Sequence, residues 1–233
     1  MSQLEKLFDR YESIIVLDTE TSGLSFTEDR IIELSAVKLV YENGIAKNVF
    51  EFDEFIKLPD GMSLDPKITE LTGITEFQLF TEGLSEEEAC SRFCDLFLED
   101  KILIVAYNAQ FDMNFIFYFL ARYGRTDILK KINMLDALTV YKDRRQYPHK
   151  LENAISEYNL DGVVVNSHRA IDDTLATVEV LKVMDDECSD LEKYINLFGY
   201  NPKFRVSGKK ISSVKYVPQG YKRYSKLYEE IPL

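Results

Sequence analysis

The stretch SIIVLDTETSGL, residues 13–24, joins a run of apolar residues to two carboxylates, Asp18 and Glu20. A short continuous apolar run is the pattern of a strand covered on both faces, and residues two apart in a strand point to the same side. Asp18 and Glu20 are therefore expected to converge on one face where the strand leaves the core. Alone, the pair reads first as two solvated acids at a strand end. Thr19, Thr21, Ser22 and Gly23 place small donors and a tight turn beside it.

Outward from this strand, the periodicity predicts the rest of the sheet. RIIELSAVKLVYENG (30–44) and NVFEFDEFIKL (48–58) alternate and end at Asn-Gly and Pro-Asp-Gly turns, so the first three strands form a meander. LDPKITELTGI and SEEEACSRFCDLFLED then read as helices, the second capped by Ser85 with Glu88 three residues on. KILIVAYNA (101–109) returns to a buried strand. FDMNFIFYFLARYG (111–124), apolar nearly all round, reads as a buried helix ended by Gly124. Two helices follow around 135–158, and HRAIDDTLATVEVLKVM (168–184) is an amphipathic helix. The expected class is α/β with a mixed sheet flanked by helices, in a domain of residues 1–190.

Composition narrows the function. The 233 residues are 45% hydrophobic, which suffices for a sizeable core, and the net charge of -12 argues against a simple nucleic-acid coat protein. Three cysteines without a CxxC pair suggest neither a zinc knuckle nor a disulfide framework, and no apolar run approaches the ~20 residues that a bilayer crossing needs. A reducing cytoplasm and no membrane are expected. Charge is segregated: residues 199–226 hold eight Lys or Arg and no carboxylate, interleaved with Tyr200, Phe204, Tyr216, Tyr221 and Tyr224. This basic extension, 191–233, suits phosphate neutralisation with base stacking. A solvated terminus or a strap for a protein partner reads equally well.

Two further acidic positions complete a constellation. Asp112 stands where the strand 101–106 passes into the apolar helix, and a parallel strand beside the first would bring it to the same sheet edge as Asp18. Its place in a first helical turn is also explained by the macrodipole. In NSHRAIDDTLA, His168 precedes Asp173 by five residues. Four carboxylates and a histidine suit phosphodiester hydrolysis with two divalent cations, Mg²⁺ or Mn²⁺, the imidazole serving as general base.

The DxE of LDTETSG, Asp112 in NAQFD, and the HxAxxD of His168, Ala170 and Asp173 together resemble the DEDD superfamily of 3′-to-5′ exonucleases. The likeness is to its histidine-bearing branch, which includes the proofreading (epsilon) subunit of DNA polymerase III. RIIELSAVKL, ITELTGIT, FDMNFI and SHRAIDD further resemble the exonuclease module of PolC-type polymerases. Over roughly residues 12–185, the resemblance implies a ribonuclease H-like five-stranded sheet. It implies that Asp18, Glu20 and Asp173 hold one metal and that Asp18 bridges to a second, with Asp112 acting directly or through water. Choosing Asp173 over Asp172 rests on the motif alone. Thr21, Leu24 and Thr72 are implicated beside the terminal nucleotide, with Leu24 equally explained by loop packing. The implied activity is removal of nucleoside 5′-monophosphates from 3′ ends of single-stranded DNA in proofreading or repair, with a polymerase partner docking on the extension. RNA trimming, or a silent polymerase- or nucleic-acid-binding module, are the alternatives.

Overall fold

The computed structural model describes residues 4–165, 167–220 and 225–230. A helical turn, α1 (Glu5–Phe8), precedes the meander of β1 (Ser13–Thr21), β2 (Ile31–Glu42) and β3 (Ile45–Phe55). Three helices follow: α2 (Pro66–Thr72), α3 (Glu76–Glu82) and α4 (Glu86–Cys94). Then come β4 (Ile102–Ala106), α5 (Ala109–Arg122), β5 (Asn133–Asp136), α6 (Ala137–Arg144), α7 (Leu151–Glu157) and α8 (Ala170–Glu187). The sheet order is β3-β2-β1-β4-β5, with β1 antiparallel to β2 and parallel to β4. It is the mixed five-stranded sheet flanked by helices that the sequence led us to expect.

Alternation along β1 builds the two layers that position the site. Ile14 and Val16 face a core shared with α6, α7 and α8, whereas Ile15 and Leu17 face one shared with α4 and α5. Continuing that alternation carries Asp18 and Glu20 onto the α8 side and Thr19 onto the α5 side. The register shifts between Glu20 and Thr21, so pairing with β2 is interrupted just beyond the two carboxylates.

The periodicity reading gave no element at α1 or α3, and three of the elements it did give depart from it. The expected helix around 135 begins as a strand, because β5 is only four residues long and three of them are buried, too short to show a period. The helix from Ser85 closes at Cys94 into a single 3₁₀ turn, Asp95–Phe97. The last helix begins at Ala170 and not at His168, whose φ of 57° lies in the left-handed region.

Residues after 190 continue both cores. Leu191, Tyr194, Leu197, Val217 and Leu227 join the α8-side core, and Phe198 and Val214 the α5-side core. β6 (Leu197–Tyr200) and β7 (Lys215–Pro218) form a small parallel pair beside β5, where the Asn196 N–H donates to Met134 O at 2.7 Å. Tyr200, Phe204 and Tyr216 of the basic extension fall within the described residues, and Tyr221 and Tyr224 lie outside them.

Candidate active site

At the end of β1, carboxylates arrive from both layers. Asp18 and Glu20 project on the α8 side, and Asp173, in the first turn of α8, faces them. One oxygen from each of these three side chains lies within 4.8 Å of the other two. Asp112 comes from α5, on the other face, where its Oδ1 accepts hydrogen bonds from the Thr19 N–H at 3.1 Å and the Thr19 hydroxyl at 2.8 Å. Thr19, between the two acids of DxE, thus ties the second layer to the first. The N-terminus of α5 is held by Asp136 at the end of β5, whose Oδ1 accepts from the N–H groups of Asn108 and Ala109 at 3.0 and 3.1 Å.

Burial and mutual repulsion make this cluster hold protons tightly. Burial, then the charges of Asp112, Asp173 and Glu20, push Asp18 well above the usual carboxylate range. Glu20 rises to about 8, through burial and then Asp173 and Glu33. Burial lifts Asp112 to about 7 against the opposing Thr19 hydrogen bond, and burial followed by Asp172 and Glu33 lifts Asp173 to about 7. Hard oxygen donors crowded this way fit a divalent cation, which would offset the repulsion. Because these folded-state values exceed the ~4 of the unfolded chain, the folded state binds more protons between pH ~4 and ~8. Stability of the metal-free protein is therefore lost as pH rises through that window. Thermal melts should show a lower Tm at pH 8 than at pH 5.5, with Mg²⁺ or Mn²⁺ restoring it at pH 8. A metal-free Tm that climbs from pH 5.5 to 8 contradicts the repulsion.

His168 is exposed and lines the same groove as Asp173, just ahead of α8. Asp172 accepts a hydrogen bond from the Ser167 hydroxyl, while Asp173 is the member that joins the cluster with Asp18 and Glu20. Thr21 is buried and its hydroxyl donates to Gly23 O at 2.7 Å, closing the turn after β1. Leu24, 80% exposed, stands on that turn. Thr72 is buried at the end of α2, where its Oγ1 donates to Ile68 O and accepts from the Ile74 N–H, so its hydroxyl is engaged within its own loop.

The exonuclease (RNase_T) family model matches residues 15–181. The chain belongs to this exonuclease family. It is 36% identical over 180 residues to a PolC-type DNA polymerase III of Clostridium perfringens, covering 76% of this chain and 11% of that polymerase. With the PolC-type polymerase of Thermotoga maritima it shares 32% identity over 203 residues, 81% of this chain and 14% of the relative. The chain thus spans about an eighth of the length of these curated relatives. Escherichia coli exonuclease I in complex with a dA16 oligonucleotide superposes with a TM-score of 0.67 at 21% identity, over 78% of this chain and 42% of that one. That likeness shows the shared ribonuclease H-like fold.

Within this exonuclease fold, two charged residues that the motifs did not single out hold the third motif in place. Glu33, opposite Glu20 on β2, is 1% exposed. Its Oε1 accepts from Arg169 Nε at 2.9 Å and from Arg169 at a second nitrogen at 2.6 Å, and its Oε2 accepts from the Ala170 N–H at 2.9 Å. The guanidinium also lies 4.8 Å from the Phe55 ring centroid. Glu33 therefore satisfies the first N–H of α8 and fixes the residue between His168 and Ala170. A glutamate inside the apolar run RIIELSAV was the available signal, since a buried carboxylate requires partners. Glu33→Ala should lower stability to denaturant by about 1 kcal/mol, because α8 loses its cap and Arg169 a charged partner, offset in part by the repulsion that Glu33 exerts on Glu20 and Asp173. An unchanged unfolding midpoint would remove the pair from this role.

Among the described residues, no helix is long and apolar enough to cross a membrane.

Proposed function

We propose that this chain is a metal-dependent 3′-to-5′ exonuclease that hydrolyses terminal phosphodiesters of single-stranded DNA to nucleoside 5′-monophosphates. The observation that carries this reading is the meeting of Asp18, Glu20 and Asp173 within 4.8 Å, with Asp112 bonded to Thr19 from the opposite layer. Asp18, Glu20 and Asp173 would hold one Mg²⁺ or Mn²⁺, and Asp18 with Asp112 would hold a second. When bound, such cations polarise the scissile phosphate and lower the pKa of the attacking water.

The chain's own residues do the rest. Thr19 keeps Asp112 directed toward the end of β1, and Asp136 keeps the start of α5 from drifting. His168 stands on the groove wall, where its imidazole accepts the proton of the attacking water. A non-glycine residue in the left-handed region costs about 1 kcal/mol or more, and such positions cluster where a side chain must be aimed. The exonuclease I complex with a dA16 oligonucleotide and the PolC-type relatives support a single DNA strand as substrate and a replicative setting, in which this chain would act beside a polymerase.

The test is incubation of the protein with 5′-labelled single-stranded DNA, and separately with RNA of the same sequence, in Mg²⁺, Mn²⁺ or chelator. A ladder shortening from the 3′ end, absent with chelator and releasing 5′-monophosphates, is expected on DNA. Cleavage confined to RNA would transfer the activity to RNA trimming, and no cleavage of either would leave a binding module.

A further inference from the structure

The groove that opens onto Asp173 and His168 holds about 540 Å³, and part of its wall comes from outside the family-matched residues. Asn201, Phe204, Gln219 and Gly220, all from the extension, line it together with Lys142 and Tyr147. This wall is anchored. Gln219 Nε2 donates to Thr139 O, and the Gly199 N–H donates to the Thr139 hydroxyl, each at 2.9 Å. Farther along, Lys209 N–H donates to Asn114 Oδ1 at 2.8 Å, while Gln110 Nε2 donates to the carbonyls of Ser207 and Lys209. Gly208 between them has a φ of +70°, and a Cβ there would stand 2.6 Å from the Phe26 ring. Only glycine fits that close approach. The extension is thereby seated against α5 two residues from Asp112.

The chemistry presented by this wall is that of a single-strand binder. Phe204 is 70% exposed on the groove that Asp173 also lines, with the Lys203 ammonium 5.3 Å from its ring centroid. Arg145 is committed to Glu187 and Glu157, and Lys150 stands 3.5 Å from Glu152. Lys142, partly buried on α6, forms no ion pair within 4 Å among the described residues, although the Asp136 charge acts on it from farther off. An exposed aromatic ring and an ammonium without a close ion pair in one groove match a base and the phosphate next to it.

We infer that the groove is the subsite for the nucleotides immediately 5′ of the terminal one. A base stacks on Phe204 and an internucleotide phosphate sits on Lys142. The inference rests on the exonuclease reading only for which end of the strand enters the carboxylate cluster; binding of the strand stands apart from hydrolysis.

Fluorescence anisotropy with 5′-labelled oligo(dT) of two, four and eight nucleotides, in Ca²⁺, tests it on the full chain. Affinity of the unsubstituted protein should rise with length. Phe204→Ala should weaken octamer binding roughly tenfold, as loss of one stacked base does, and erase most of the gain with length. Lys142→Gln should reduce the slope of log Kd against log salt by about 0.7, the share of one phosphate on a single strand. Phe204→Ala should keep the unsubstituted melting temperature, since Phe204 is exposed, and Lys142→Gln should lower it only slightly, since Lys142 has no close ion pair and feels only the Asp136 charge. A length-dependent gain that survives in both variants overturns the subsite, as does an unsubstituted protein whose affinity is independent of length. Absence of hydrolysis with length-dependent binding intact would instead sink the exonuclease reading alone.

Discussion

Asp18→Asn is expected to lower hydrolysis of single-stranded DNA by about 10³-fold or more, because a ligand shared by both proposed cations would take several kcal/mol of transition-state charge stabilisation with it. The fold should survive. Asp18 sits among Asp112, Asp173 and Glu20, all of which raise its pKa, so the neutral amide relieves repulsion in the metal-free protein. At pH 8, without divalent cations, the variant should melt no lower than the unsubstituted chain and should gain less from added Mn²⁺. Turnover within a few fold of the unsubstituted protein would rule out a bridging role for Asp18. A collapse of Tm would show instead that the carboxylate is structural.

His168→Asn should reduce kcat by roughly 10²- to 10⁴-fold, the contribution of a positioned general base. Asparagine suits the test because it tolerates the left-handed backbone that residue 168 adopts, so the start of α8 is not disturbed. Calorimetric titration with Mn²⁺ should show metal affinity unchanged, since the Asp18, Glu20 and Asp173 oxygens that converge do not include the imidazole. A variant that loses metal affinity together with activity would make His168 a ligand, and one that keeps its kcat would leave the proton to another acceptor.

The two variants divide the site along the line between electrostatics and proton transfer, and the neighbouring residues follow the same division. Glu33 and Arg169 hold the third motif against β2, and Thr19 holds Asp112 against β1. Neither pair needs to touch a reacting atom. Both set how near the carboxylates stand, which decides how strongly a cation is held.

Much of this was legible in the residues themselves. Four consecutive apolar residues before Asp18 specified a covered strand, and the period of two then placed Asp18 and Glu20 on one side. The long apolar helix after β4 and the cap at Ser85 also follow from local pattern and hydrogen-bonding chemistry. β5 escaped because four residues are too few for a period, and the start of α8 because a left-handed residue has no signature of its own outside glycine.

By itself the sequence determined the first four strands, the apolar helix after β4, the last amphipathic helix, the three motifs and the segregation of basic charge after residue 199, since each depends on residues near one another in the chain. Only the tertiary structure decided that Thr19 would bond Asp112, 93 positions away, and that Glu33 would receive Arg169, 136 positions away. It also decided that the basic extension would fold back beside Asp112 and present Phe204 to the groove, where the sequence had left a solvated terminus open. Such contacts carry no local pattern: burying a charge or a backbone amide demands a partner, but which residue supplies it is settled by how the layers close.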